Sequence, residues 1–202
     1  MGIRVEAMKS HALAEPIGVE TMGLSDSRKS PISRGFQEIS DMFPRTYGLL
    51  TVYTDQTQRQ LSEGECILTP VDNPVGMRTD TKAIYTEISV KRDTMNSIIK
   101  SGEVFELAEL LPYQEGKIIN MDIAHNEKMK FVIMSFDEGT GLTEHAAPGE
   151  AMVFALDGSA VIGYEGQEHR IKAGENFKFA AGGKHWVKAD GRFKMALLMT
   201  LA

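Results

Sequence analysis

The sequence predicts an all-β protein that is built from two related halves. Apolar residues alternate along short segments between glycine-rich turns, and part of this pattern occurs twice. Gly48 and Gly64 are sixteen residues apart, as are Gly158 and Gly174, so the first glycine pair matches the second at a constant offset. At the same offset three further residues, Leu61, Glu65 and Ile67, match Ile171, Glu175 and Phe177.

Each copy predicts a hairpin that continues through a glycine into another strand. The later segments Ala83–Val90 and Phe193–Thr200 fall in the same register. Between the copies, Arg92–Pro112 predicts a short helical linker, with Asp93 as its N-cap and Pro112 as its end. The N-terminal segment 1–34 contains several prolines and glycines, which predict short strands and loops. The expected domains are residues 1–91 and 113–202, joined by the linker at 92–112.

The segments with the most chemical meaning are Gly139–Gly158 and Gly174–His185. They read G-T-G-L-T-E-H-A-A-P-G-E-A-M-V-F-A-L-D-G and G-E-N-F-K-F-A-A-G-G-K-H. Their spacing resembles the paired motifs of the cupin superfamily, G-x5-H-x-H-x3-4-E-x6-G and G-x5-P-x-G-x2-H-x3-N, with His145 and His185 at two histidine positions. The resemblance implies a bicupin, that is, two tandem jelly-roll barrels of the double-stranded β-helix type.

The chain departs from this pattern at four positions. The second histidine, the glutamate, the proline and the asparagine of the motif are replaced by Ala147, Ala151, Ala180 and Ala189. Glu150 lies one residue before the glutamate position. Because side chains alternate along a strand, this offset points Glu150 out of the barrel unless a bulge re-aims it.

The resemblance also implies a metal site of three histidines and a glutamate, for iron, manganese, zinc or nickel. Here His145, His185 and Glu150 are the candidate ligands of one divalent ion. Catalytic metal centres usually have about three protein ligands, so weak metal binding and a metal-free pocket both stay open. His125 is a further candidate, although a polar residue at a strand end is the more ordinary interpretation.

Two functions of different class fit these residues. In the first, His145 and His185 ligate a metal with water, or act as general acid and base on a sugar-like or carbonyl substrate. In the second, they hydrogen-bond a small polar ligand in a noncatalytic binding or sensing module, with Trp186 at the rim of the pocket. The N-terminal half has none of the candidate ligands and is expected to be structural, since the matching residues are Gly35, Ser40 and Val75.

Composition excludes several other classes. The 202 residues are 42% hydrophobic with a net charge of -6, so the basic footprint of a nucleic-acid binder is missing. The single Cys66 excludes an intrachain disulfide and a cysteine-based zinc site, and it favours a reducing compartment. The sequence shows neither a signal peptide nor an apolar stretch near the roughly 20 residues of a membrane span. A cytoplasmic protein without membrane contact is therefore expected.

Two segments are apolar on both strand faces and predict extensive packing. They are Met152–Leu156 and Met195–Leu201. A strand that is buried on both faces needs a second sheet or subunit to cover it. We therefore expect packing between the two barrels and a homodimer.

Overall fold

The computed structural model describes residues 39–47, 49–54, 57–70, 75–79, 83–91 and 95–201. Regular structure in these ranges is almost entirely β-strand, as the sequence predicts. The chain divides after Glu106 into two compact units. The strands and loops expected in the segment 1–34 lie outside the described ranges.

The N-terminal unit consists of short antiparallel strands. Its described strands are β1 (Ile39–Tyr47), β2 (Leu50–Tyr53), β3 (Gln58–Leu61), β4 (Glu65–Ile67), β5 (Gly76–Arg78), β6 (Ile84–Lys91) and β7 (Val104–Glu106). β1 pairs with β6, β2 lies between β3 and β5, and β4 pairs with β7. A small apolar core forms where these strands alternate inward, and its buried residues are Leu50, Val52, Leu61, Ile67 and Ala83.

The C-terminal unit has longer strands. They are β8 (Ile118–His125), β9 (Met129–Phe136), β10 (Gly141–Ala146), β11 (Ala151–Tyr164), β12 (Gln167–Lys172), β13 (Asn176–Phe179) and β14 (Lys184–Thr200). They form one sheet in the order β12-β11-β14-β9-β8, with β10 added to β14 and β13 added to β11. At one end β11 pairs with β13 and β14 pairs with β9, whereas at the other end β11 pairs with β12 and β14 pairs with β10. Bulges in the pairing of β11 with β14 near Gly158 separate these two ends. Because a bulge bends its strand, these two strands can serve both walls of a barrel.

Both faces of the central strands are buried. Val153 and Ala155 belong to the interior cluster of the unit, whose largest side chains are those of Phe136, Phe179 and Phe193. The alternate face of the same strands carries further residues that are at most 2% exposed, namely Phe131, Ile133, Phe154 and Ala196. The two-sided apolar pattern of the sequence therefore corresponds to burial on both sides. Homodimerisation, which the same pattern led us to expect, stays a prediction.

The internal repeat is present in the strand pairing. When the repeat offset of the sequence is applied, residue pairs between β2 and β3 correspond to pairs between β11 and β12, and pairs between β2 and β5 correspond to pairs between β11 and β14. Examples are Leu50–Leu61 with Ala160–Ile171, and Val52–Met77 with Ile162–Val187. The two halves thus share a hydrogen-bonding register as well as a sequence pattern.

A repeated glutamate has a structural role in this register. The carboxylate of Glu65 accepts a hydrogen bond from the backbone N–H of Ser62 at 2.6 Å, and Glu175 accepts one from Lys172 at 3.1 Å. Each turn contains a glycine with positive φ, 84° at Gly64 and 99° at Gly174. The matched glutamates therefore close equivalent turns before the next strand.

The described part of the predicted helical linker at 92–112 is not helical, which corrects that prediction. Within the described residues 95–112, residues 96–103 form turns and bends, β7 follows, and one 3₁₀ turn lies at Leu107–Leu110. Val104 and Phe105 favour extended structure, and pairing of β7 with β4 satisfies their backbone groups. Tertiary pairing thus overrides the weak local helical pattern.

Candidate functional site

The two motif histidines lie side by side in the C-terminal unit. His145 on β10 and His185 on β14 are directly opposite each other in an antiparallel pair, so their side chains leave the same face of the sheet. Their ring centroids are 4.2 Å apart, with an angle of 55° between the ring planes. Two imidazoles at this separation are close enough to contact one ligand atom or one water molecule.

A bulge in β10 produces this juxtaposition. Leu142 pairs with Val187, and the next recorded pair is His145 with His185, so β10 has one residue more than β14 in this interval. In a regular ladder Glu144 would face His185. The extra residue therefore replaces a carboxylate by an imidazole beside His185.

Backbone hydrogen bonds fix the orientation of both imidazoles. Nδ1 of His145 lies 2.8 Å from the carbonyl oxygen of Thr143, and Nδ1 of His185 lies 3.0 Å from that of Gly183. A carbonyl oxygen only accepts, so Nδ1 must be the protonated nitrogen of each ring. In the neutral form this leaves the Nε2 lone pair of each ring for a ligand, a proton or a metal.

The two rings have different surroundings. His145 is exposed, whereas His185 is only 6% exposed. The ring of His185 stacks on Phe179, with centroids 3.9 Å apart and an interplanar angle of 22°. The site is therefore a pair in which one imidazole is open to solvent and the other is set into the apolar interior.

Tyr164 is a neighbour of this site that the sequence analysis missed. It is the β11 partner of His185 and packs against Phe179, with centroids 5.5 Å apart. Its hydroxyl oxygen accepts a hydrogen bond from the backbone N–H of Ala180. The signal was available, because Tyr164 continues the inward alternation of Ala160 and Ile162, but neither the motif nor the repeat marks it.

Burial sets the protonation state of His185. Desolvation lowers its pKa below the ordinary 6.5, the hydrogen bond to Gly183 opposes this shift, and the neighbouring His145 lowers the pKa further. The neutral ring is therefore favoured in the folded protein at neutral pH.

We expect the folded protein to lose stability as the pH falls from about 7.5 to about 5.5. As the pH falls, His185 takes up a proton in the unfolded chain before it does so in the folded protein, because the pKa of His185 is lower in the folded protein. One such group changes the free energy of unfolding by at most about 1.4 kcal/mol per pH unit. Urea titrations of the parent and of His185→Gln at both pH values measure this contribution. Equal losses in the two proteins would contradict it.

The other candidate residues do not join the pair. The carboxylate of Glu150 forms a salt bridge with Lys178 at 2.9 Å, and both side chains are more than half exposed. Trp186 follows His185 on β14, so its side chain leaves the opposite face, where its ring lies over Gly163. His125 is exposed at the end of β8, 3.5 Å from Asp122.

The donor set does not fit a metal site of three histidines and a glutamate. Within the described ranges, no group of three or more histidine, cysteine, aspartate or glutamate side chains is arranged to hold a metal ion. The pair of imidazoles offers two nitrogen donors, and Ala147 and Ala151 supply none at the remaining motif positions. Two protein donors fall short of the usual three, which favours weak metal binding.

Comparison with known proteins agrees with the fold. Residues 132–201 match the family model described as Cupin domain. The chain is similar to a cupin 2 conserved barrel domain protein from Leptotrichia buccalis, with a TM-score of 0.69 and 25% sequence identity. The match covers 81% of this chain and 74% of that protein. It is also similar to a cupin superfamily protein from Desulfitobacterium hafniense, with a TM-score of 0.50 and 23% sequence identity. That match covers 51% of this chain and 94% of that protein.

A third similar structure again extends over most of the chain. The protein Ylba from E. coli matches with a TM-score of 0.52 and 16% sequence identity. The match covers 83% of this chain and 69% of that protein. No curated protein matches the sequence significantly. In the described part of the chain, no helix has the length and apolar character needed to span a membrane. Residues 132–201 are thus similar to the cupin domain, and the structural similarities indicate a cupin-type fold.

Proposed function

We propose that the C-terminal unit binds a small polar molecule at the His145–His185 pair without a tightly bound metal. The observation that carries this proposal is the 4.2 Å approach of two imidazoles whose Nδ1 atoms are both engaged by backbone carbonyls. Their Nε2 atoms accept hydrogen bonds when neutral and donate them when protonated. A hydroxyl or a carbonyl group of a small ligand suits such a pair.

The environment of the pair also supports this function. Phe179 shields one face of His185 from water, which strengthens a polar contact made at its free nitrogen. His145 is exposed and gives access from solvent. Desolvation and the neighbouring His145 lower the pKa of His185, so Nε2 of His185 is available as a hydrogen-bond acceptor at neutral pH. The same pairing would allow general acid and base chemistry.

We further propose that the whole chain is a bicupin, in which the N-terminal barrel is structural. The shared register of strand pairing supports two related folds, and similar structures cover either about half or more than four fifths of the chain. The expected homodimer and the expected cytoplasmic location belong to the same proposal. The homodimer is expected because β11 and β14 are apolar on both faces. The cytoplasmic location is expected from the composition.

Elemental mass spectrometry of freshly purified protein tests the metal-free part of the proposal. We expect iron, manganese, nickel and zinc each to be well below one ion per chain, because two imidazoles give a weak site. A stoichiometric amount of any of these metals would favour the alternative, a metal-assisted enzyme.

Ligand binding tests the role of the imidazoles. We expect glycolate or lactate, each of which has a hydroxyl donor for a neutral Nε2 atom, to shift the imidazole NMR signals of His145 and His185 in a saturable way, so that in each single variant the remaining ring reports binding. His145→Ala and His185→Ala should each weaken this binding about tenfold, as expected for the loss of one hydrogen bond. His125→Ala is the matched control, because His125 is exposed and lies apart from the pair. Equal binding by all three variants would refute the site.

A further inference from the structure

A shallow cavity of about 400 Å³ lies along the pairing of β10 and β14. Its lining includes Trp186, Lys188 and Glu144, but neither His145 nor His185. Residues 186 and 188 alternate with the buried residues 185 and 187 along β14, so their side chains leave the face opposite the imidazoles. The cavity is therefore separate from the proposed imidazole site.

Trp186 lines this cavity, and its ring is held in place by packing on the neighbouring strand. Its ring lies over Gly163, the cross-strand partner, where an added side-chain carbon would come within 2.0 Å of the indole. In the N-terminal unit the equivalent strand pair places Tyr53 over Gly76, with the aromatic residue and the glycine on exchanged strands. One side of the indole thus packs against the neighbouring strand. The ring is half-buried, and it also borders the cavity.

The polar groups around the indole are available to a ligand. Glu144 and Lys188 are exposed, and the two charged side chains have no hydrogen-bond or ion-pair partner within the described part of the chain. The bulge in β10 removes Glu144 from the position opposite His185. The cavity therefore combines an aromatic surface with a carboxylate, an ammonium group and the hydroxyl of Thr143, and the two charges cancel.

We propose that this cavity binds one neutral hexopyranose unit of a saccharide. The C–H face of a pyranose packs against an indole, its hydroxyl hydrogens bond a carboxylate, and its hydroxyl oxygens accept from an ammonium group. The opposite charges of Glu144 and Lys188 favour a neutral polyhydroxyl ligand over an ion. A volume of about 400 Å³ is in the lower part of the range for small-molecule sites, as suits one sugar ring. This inference goes beyond the function proposed for the imidazole pair.

The test uses the fact that Trp186 is the single tryptophan of the chain. Its indole N–H gives one nitrogen-15 NMR signal, which reports on the cavity while methyl gluco-, galacto- and mannopyranosides are added. We expect a saturable shift with at least one of them, at a dissociation constant of about 1 mM. Glu144→Gln and Lys188→Gln should each weaken binding about tenfold. Glu168→Gln and Lys184→Gln are exposed controls outside the cavity and should bind as the parent does.

Three results would overturn the proposal. The first is the absence of any shift at about 10 mM glycoside, where a ligand of millimolar affinity is largely bound. The second is an equal affinity in the parent, Glu144→Gln and Lys188→Gln. The third is an equal shift with glycerol or sodium acetate, which lack the pyranose ring and would indicate a nonspecific response.

Discussion

Replacing Gly158 by alanine is expected to destabilise the C-terminal unit severely. Gly158 has φ of +69°, and a Cβ atom at this position would lie 1.8 Å from the backbone carbonyl oxygen of Arg192. A backbone atom on the neighbouring strand cannot move aside without breaking the pairing of β11 with β14. We expect the free energy of unfolding to fall by about 3 kcal/mol or more, which is a large share of a typical domain stability.

Gly166→Ala is the matched control for this prediction. Gly166 also has a positive φ, +79°, but an added Cβ atom would meet nothing within 4 Å. Only the conformational cost of about 1 kcal/mol should then appear. Urea denaturation followed by circular dichroism compares the two variants. If both lost the same stability, steric contact with Arg192 would not be the reason for glycine at position 158.

Replacing Phe179 by alanine is expected to cost about 3–5 kcal/mol of unfolding free energy. The ring is only 1% exposed and packs against His185, Tyr164 and Phe177. Its removal leaves a cavity in the interior cluster and opens His185 to water. Because desolvation is the main cause of the low pKa of His185, that pKa should rise toward its ordinary value.

Phe177→Ala separates the effect on the imidazole from the effect on stability. Phe177 is half-buried and contacts Tyr164, Phe179 and His169, with centroids 5.1 to 5.7 Å apart. We expect a smaller loss of stability and an unchanged pKa of His185. Urea titrations give the stabilities, and the imidazole NMR signals followed against pH give the pKa. A pKa of His185 that stayed low in Phe179→Ala would contradict the assigned cause.

The sequence alone determined the strand content, the repeat and its register. Alternation and glycine turns are local properties, so they predict β2, β3, β11 and β12 without knowledge of the remaining chain. The offset between the two copies was readable for the same reason, and it reappears in the pairing of Leu50 with Leu61 and of Ala160 with Ile171. In the described part of the predicted helical linker, Val104–Glu106 are extended because they pair with β4, a segment that is distant in sequence.

Only the tertiary structure decided which side chains meet at the site. The bulge in β10 determines that His145, rather than Glu144, faces His185, and a bulge depends on how two strands pair rather than on either sequence alone. The contact of Glu150 with Lys178 and that of Trp186 with Gly163 likewise join residues that are distant in sequence, so the sequence alone does not predict them. Sequence spacing therefore identified the two histidines, while cross-strand registration determined their partners and the separate cavity beside them.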